Sequence, residues 1–300
     1  MKYDLIIVGG GPAGLTAGIY AARYRLNTLI ISKNIGGLAS TAPKICNYPS
    51  QMNIKGFELM QNITKQVQEL GVEIIYDEIK KIEKKNDGFI VHLEKKKYNT
   101  KKIIYAAGTD RLRMNIPGEG KFLGRGISYC ATCDAAFFKK KTVAVIGGAD
   151  AALSSALLLS EFASKVYIIY RQDYFFRAEP AWIELVQKQK KITLIFNEEV
   201  LEINGKDKVE SIKLKSGKEL NVNGIFVEIG SVPQTKILEG LGIKTTEKGY
   251  IIVDRCQKTN VKGLFAAGDV TNNRLKQIIT AAGEGACAAF SAYEELKKNK

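Results

Sequence analysis

Leu5-Ile-Ile-Val8-Gly9-Gly10-Gly11-Pro12-Ala13-Gly14 is the stretch on which the reading of the fold turns. Four consecutive apolar residues with no polar alternation describe a short strand buried on both faces, as parallel strands are. The glycines that follow fall at the G-x-G-x-x-G spacing. Leu15-Thr-Ala-Gly-Ile-Tyr-Ala-Ala22 then reads as a small-residue helix, and Asn27 to Ile31 as the next strand. Strand, glycine loop, helix and strand make a dinucleotide-binding βαβ unit. The three glycines differ in purpose. Gly9 allows the tight turn, Gly11 lets backbone approach a pyrophosphate, and Gly14 permits close helix–strand packing. The helix N-terminus offers its free N–H groups to phosphate.

A second copy lies further along. Thr142-Val-Ala-Val-Ile146 is an apolar strand, Gly147-Gly148-Ala149-Asp150-Ala151-Ala152 opens a helix that runs through Phe162, and Lys165 to Tyr170 is a strand. The offset, 147 − 9 = 138 residues, is too long for a solenoid repeat and implies two nucleotide-binding domains. Two further segments match each other, Ile103-Ile-Tyr-Ala-Ala107-Gly108 and Gly263-Leu-Phe-Ala-Ala-Gly268-Asp269. Each is an apolar strand ending at a glycine where backbone can approach a ligand. The Ala- and Gly-rich helix expected over Leu275 to Ala289 should pack closely against a flat neighbour. Turn-rich junctions at Pro117-Gly118 and Gly240-Leu-Gly242 divide the chain. The expected fold is α/β, with two Rossmann-like nucleotide-binding domains of the three-layer ββα type, the second inserted into the first. The first domain spans residues 1–115 and 245–300, and the second spans 116–244.

Composition narrows the chemistry. The 300 residues are 45% hydrophobic and 25% charged, with one histidine, His92, and five cysteines. A Ser-His-Asp triad would rest on His92 alone, and its alternating stretch Phe89-Ile-Val-His92-Leu reads as a strand with a structural histidine. Lys+Arg outnumber Asp+Glu by 45 to 31, a formal charge of +14. The lysines are scattered in short groups, so the charge reads as a solvated surface rather than a nucleic-acid face, with acidic protein partners left open. No apolar run is long enough for a membrane span. The N-terminus shows no signal-peptide pattern, and an odd cysteine count without framework spacing suits a reducing cytoplasm.

Tyr129-Cys130-Ala-Thr-Cys133-Asp134 carries a C-x-x-C pair, which is half a zinc site or a redox dithiol. Zinc lacks two further ligands, because Cys46, Cys256, Cys287 and His92 are isolated in sequence; no metal site is expected. Asp134 reads either as a proton donor or acceptor for thiol–disulfide exchange or as the N-cap of a helix over Ala135-Ala-Phe-Phe138. Cys46, Cys256 and Cys287 are expected simply to pack.

Taken together, these residues resemble the low-molecular-weight flavoprotein thioredoxin reductases over nearly the whole chain. The resemblance rests on the first glycine motif, Gly36-Gly37, Asn47-Tyr48-Pro49, Ala107-Gly108-Thr109, Cys130-Ala-Thr-Cys133-Asp134, Gly268-Asp269-Val270, and Gln277 followed by Thr280-Ala-Ala-Gly283. It implies FAD in the discontinuous domain, held by Gly9, Gly11, Pro12, Ala13, Gly14, Ser32, Gly37, Leu38, Asn47, Ala107, Gly108, Gly268, Asp269, Gln277 and Ile278. It also implies a catalytic disulfide of Cys130 and Cys133 with Asp134 as proton donor, a homodimer, and thioredoxin or a thioredoxin-like protein as partner. NADPH or NADH would bind the inserted domain through Gly147, Gly148, Ala149, Asp150, Ala151, Arg171 and Arg177. The chain departs from the family at Ser32, where an acid often binds ribose, at Leu38, usually glutamine, and at Ala149, usually glycine. The phosphate clamp also departs, reading Tyr170-Arg171-Gln-Asp-Tyr-Phe-Phe-Arg177 with one arginine fewer. NADPH remains the expected donor. The alternatives are an acidic ferredoxin or a deazaflavin as donor and, in a different class, a non-catalytic flavin-binding redox sensor.

Overall fold

The apolar N-terminal run becomes the strand Lys2–Gly10, and the first glycine loop leads into the helix Pro12–Arg23. The computed structural model describes residues 2–86 and 88–298. It divides the chain into two compact units, Met1–Ser40 with Ile45–Asp110 and Val232–Lys300, and Thr41–Lys44 with Arg111–Ser231. The change-overs, at 110/111 and 231/232, lie N-terminal of the turn-rich segments at Pro117-Gly118 and Gly240-Leu-Gly242. Gly118, with φ 91°, instead caps the short helix Glu119–Phe122 inside the second unit.

In the first unit Lys2–Gly10 is central. It pairs in parallel with Thr28–Ile35 on one side and Lys97–Tyr105 on the other. Glu73–Tyr76 extends the parallel edge beyond Thr28–Ile35. The N-terminal half of Lys97–Tyr105 pairs antiparallel with Gly88–His92, which pairs with Lys81–Lys85. The C-terminal half pairs in parallel with Leu264–Ala266, so the late strand ends beside Ala106-Ala107-Gly108. Leu5, Ile6, Ile7, Leu29, Ile30, Ile103 and Ile104 are all fully buried, as a sheet covered on both faces requires. His92 ends its strand with Nε2 3.1 Å from the Glu83 carboxylate, a cross-strand structural contact.

The small residues of the C-terminal helix Ile278–Lys297 allow a backbone approach to the first helix. A Cβ on Gly285 would come within 2.1 Å of the Ala13 carbonyl oxygen. The neighbour is thus another helix rather than a flat sheet. Gln277 caps this helix with a reciprocal capping box to Thr280, which fixes the start three residues after the expected Leu275.

The second unit repeats the architecture. Its parallel sheet runs Ile192–Phe196, Lys165–Tyr170, Thr142–Ile146, Gly224–Val227 and Ile127–Ser128. The helix Asp150–Phe162 packs on one face through Ala152, Leu153, Ala156 and Leu159. An antiparallel meander of Val200–Asn204, Ser211–Leu214 and Glu219–Asn221 supplies Ile203, Ile212, Leu214 and Leu220 to a second core. Helix, parallel sheet and meander are the three layers of the expected fold class.

Candidate active site

The loop Gly9–Gly14 is locked by steric and hydrogen-bond constraints. Gly9 takes φ +107°, and a Cβ there would lie 2.3 Å from the Ala106 carbonyl oxygen; at Gly14 it would lie 1.9 Å from the Gly9 carbonyl oxygen. Gly11 differs, since a Cβ there meets nothing within 4 Å. It is also the N-cap of the first helix and carries no side-chain cap, and Pro12 follows at the first position. The first-turn N–H groups therefore face open space with the helix dipole behind them, an arrangement built for phosphate. This cradle fits the pyrophosphate of FAD.

Ser32 braces the loop. Its hydroxyl accepts from the Gly10 N–H at 2.8 Å and donates to the Asn34 carbonyl at 2.5 Å. Where an acid was the usual expectation for ribose, the side chain holds the loop to the next strand. Gly37 lies with its missing Cβ 3.7 Å from the Gly11 Cα, and Leu38 beside it is exposed. Asn47 Nδ2 donates to Gln277 Oε1 at 3.2 Å, which brings two expected flavin contacts together from residues 230 positions apart. Ile278 is the first residue of the C-terminal helix.

Asp269 follows Gly268, whose N–H donates to Glu284 Oε2 at 2.7 Å. Burial raises the Asp269 carboxyl pKa and lowers that of Lys276, and their opposite charges oppose both shifts. Lys276 also sits 4.6 Å over the Tyr250 ring. Glu284 and Lys276 were invisible as site residues in the sequence, because only the fold brings them to Gly268-Asp269. Ala107 and Gly108 follow the neighbouring strand Lys97–Tyr105, and Gly108 has φ +69° with open space at its Cβ position.

In the second unit Gly147 repeats the tight turn, with a Cβ position 2.2 Å from the Glu228 carbonyl oxygen. Ala149 is the N-cap of the helix and carries no side-chain cap, so this N-terminus also presents free N–H groups. Asp150 accepts from the Glu179 N–H at 2.7 Å, and Ala151 is exposed. Tyr170 lies flat against Gly148, where a Cβ would meet three of its ring atoms at 2.6 Å. It stacks in turn on Phe175 and Phe176. Arg171 and Arg177 are exposed, with Arg177 5.2 Å from the Phe176 ring. An uncapped helix end and two exposed guanidinium forks suit a phosphate-bearing nucleotide.

Cys130 and Cys133 are joined in a disulfide with Cα atoms 5.3 Å apart. Ser128 Oγ accepts from the Cys130 N–H at 3.0 Å and donates to its carbonyl at 3.2 Å. Cys130 caps the one-turn helix Ala131–Asp134, its sulfur accepting from the Cys133 N–H at 3.2 Å. That corrects the capping reading of Asp134. It precedes the 3₁₀ turn Ala135–Phe138 but makes no side-chain cap, so its carboxyl is not committed to the helix. Cys133 is exposed and Cys130 half-buried.

Two buried carboxylates of the same unit had no sequence signal. The buried Glu119 carboxylate accepts from the Met114 and Asn115 N–H groups at 2.9 and 2.7 Å, and from the Tyr129 hydroxyl. Burial and Glu119 push the Tyr129 hydroxyl well above its ordinary range, so it stays a donor and anchors the residue preceding Cys130. Glu228, also buried, binds Arg111 and accepts from Ser155 at 3.1 Å. A second correction concerns the remaining cysteines. Cys46 and Cys256 are exposed and Cys287 is half-buried, because the first two sit in loops whose backbone leaves them outside the cores. Among the described residues, no three His, Cys, Asp or Glu side chains gather to hold a metal ion, and no helix is long and apolar enough to cross a membrane.

The family model for pyridine nucleotide-disulphide oxidoreductases matches residues 3–285. The chain is 42% identical over 297 residues to a thioredoxin reductase of Treponema pallidum, covering 97% of this chain and 96% of that protein. The crystal structure of Lactococcus lactis thioredoxin reductase superposes with a TM-score of 0.96 at 39% identity, covering 99% and 100% of the two chains. That of T. acidophilum thioredoxin reductase superposes with a TM-score of 0.94 at 35% identity, each covered to 99%.

Proposed function

Because the chain belongs to the pyridine nucleotide-disulphide oxidoreductase family, we propose that it is an FAD-dependent thioredoxin reductase using NADPH. The observation that carries this is the Cys130–Cys133 disulfide in a unit that also has a nucleotide-binding βαβ fold, in a chain whose other unit holds an open phosphate cradle at Gly11. Bound FAD supplies a two-electron relay between nicotinamide and disulfide.

The protein's own residues do the rest. Gly9 to Gly14 bind the FAD pyrophosphate, Ser32 keeps the loop in place, and Asp269, steadied by Lys276, addresses the ribityl region. Asn47 and Gln277 orient the flavin ring, with Gly37, Leu38, Ala107, Gly108, Gly268 and Ile278 lining the site. Gly147 to Ala151 receive the NADPH pyrophosphate, and Arg171 and Arg177 its 2′-phosphate. In the reduced pair Cys130 attacks one sulfur of the thioredoxin disulfide and expels the other as a thiolate. Cys133 then attacks Cys130, re-forming the internal disulfide and releasing dithiol thioredoxin. Asp134 supplies the proton that the leaving thiolate takes up.

The test is NADPH oxidation with oxidised thioredoxin in large excess over the FAD-loaded protein. Sustained turnover is expected; reduction that stops after one equivalent would instead favour a redox sensor. We place the enzyme in the cytoplasm on the strength of its three free cysteines. A homodimer is supported by an aromatic patch on the first unit. Tyr24 stacks on Tyr293 at 4.6 Å, and Tyr20 and Phe290 beside it are 41% and 49% exposed. Sedimentation of the holoenzyme at the mass of a single chain contradicts the dimer.

A further inference from the structure

We infer that Cys256 and Cys287 form a second thiol pair, which peroxides oxidise to a disulfide stapling the C-terminal helix to the turn beneath it. The segment 254–258 lies along one face of that helix and is gripped at three points. The Cys287 thiol donates to the Arg255 carbonyl at 3.4 Å. One helical turn on, Ser291 Oγ donates to the Cys256 carbonyl at 2.7 Å. A further turn on, Glu295 holds Lys258 at 3.1 Å. Three side chains spaced i, i+4, i+8 thus hold residues 255, 256 and 258 of the same turn.

The turn is itself rigid. The Asp254 carboxylate accepts from the N–H groups of Cys256 and Lys258 at 2.8 and 2.9 Å. Gln257 closes it with φ 60°. Within a trans peptide a carbonyl oxygen lies about 2.8 Å from the next Cα, so the Cys287 sulfur is within about 6 Å of the Cys256 Cα. Closure of the bridge then takes a swing of the exposed Cys256 side chain toward the helix, with the two Cα atoms within about 7 Å of each other. Burial and the nearby Cys256 raise the Cys287 thiol pKa, whereas Cys256 faces solvent, so the two have different parts to play.

The chemistry balances with hydrogen peroxide as oxidant. The Cys256 thiolate attacks one peroxide oxygen, the O–O bond breaks, and Cys256 sulfenic acid and hydroxide form; the hydroxide takes a proton to become water. The Cys287 sulfur then attacks the Cys256 sulfur. The S–S bond forms, the S–O bond breaks, and the hydroxyl leaves as a second water with the Cys287 proton. Two thiols lose two electrons and the peroxide gains them. The bridge closes a loop of 287 − 256 = 31 residues that contains Gly268, Asp269 and Gln277.

The experiment uses the FAD-loaded, full-length protein without NADPH, so that Cys130 and Cys133 stay bonded. Before oxidation, three thiols, those of Cys46, Cys256 and Cys287, react with a maleimide under denaturing conditions. After peroxide treatment one remains, the chain is lighter by two hydrogens, and a linked peptide joins Cys256 to Cys287. The oxidised protein melts about 5 °C higher, as closing such a loop predicts. Dithiothreitol abolishes the rise in melting temperature and brings the thiol count to five, because it also opens Cys130–Cys133, and neither the new bridge nor the rise occurs in Cys256→Ser or Cys287→Ser. Three thiols still reactive after peroxide, sulfinic acid on Cys256 with Cys287 free, or a bridge between two chains would each overturn the pairing. A bridge with no rise in melting temperature would overturn the staple.

Discussion

Replacing Cys133 by serine is expected to lower thioredoxin reduction at least about 10³-fold while leaving FAD bound in full. Without Cys133, Cys130 has no internal partner: it cannot be held as the disulfide seen here, and a mixed disulfide with thioredoxin cannot be resolved. The FAD cradle lies in the other compact unit, so its occupancy has no reason to change. The fold should tolerate the change as well. The disulfide closes a loop of only a few residues, and cross-links of that size contribute about 2 kcal/mol. Steady-state thioredoxin assays and the flavin absorbance of purified Cys133→Ser measure the two quantities separately. Full activity in this variant defeats the assignment of the pair. Loss of flavin together with activity would show instead that the substitution damaged the whole fold.

Gly14→Ala is expected to destabilise the first unit by about 3 kcal/mol and to leave most of the purified protein without FAD. The added methyl carbon would lie 1.9 Å from the Gly9 carbonyl oxygen and 3.4 Å from Ile7 Cγ2. The first of these contacts is backbone, which cannot rotate away, so the helix must lift from the strand and carry its N–H groups off the phosphate position. Gly11→Ala makes the informative contrast. Its backbone, φ −80° and ψ −174°, suits alanine, and its methyl enters open space. That variant should melt within about 1 kcal/mol of the parent in the absence of FAD, yet bind FAD at least about tenfold more weakly, because the methyl stands where the pyrophosphate approaches. Differential scanning fluorimetry of the apo forms and flavin titration distinguish the two. Equal stability losses would contradict the division of labour between the glycines.

What could be read from the sequence was local or repeated. The apolar runs before Gly9 and Gly147 are strands because nothing polar interrupts them, and the glycines after them sit where side chains cannot. The Cys130–Cys133 spacing marked a close pair, half a zinc site or a redox dithiol, and the family resemblance made it the disulfide. Asn47 and Gln277 were readable only through the family resemblance, since 230 residues separate two side chains that touch. What stayed hidden depends on long-range placement. Ser32 looked like a missing acid and is a brace for Gly10. Asp134 sits at a capping position and does not cap, because Cys130 starts the helix one turn earlier. Tyr170 fills the place beside Gly148, and Glu119 reaches Tyr129 across a loop; neither is visible without the fold. Cys46 and Cys256 read as small apolar residues and are exposed, since composition alone does not say on which side of a turn a side chain falls.

Electron exchange between flavin and disulfide is measured most directly by an anaerobic reductive titration of the FAD-loaded protein, followed by flavin absorbance. If Cys130–Cys133 exchanges electrons with the flavin, full bleaching requires about two two-electron equivalents per chain, one for the flavin and one for the disulfide. The double variant Cys130→Ser, Cys133→Ser then requires about one. Bleaching of the parent protein by a single equivalent, with the disulfide still intact afterwards, would show that the pair takes no electrons from the flavin.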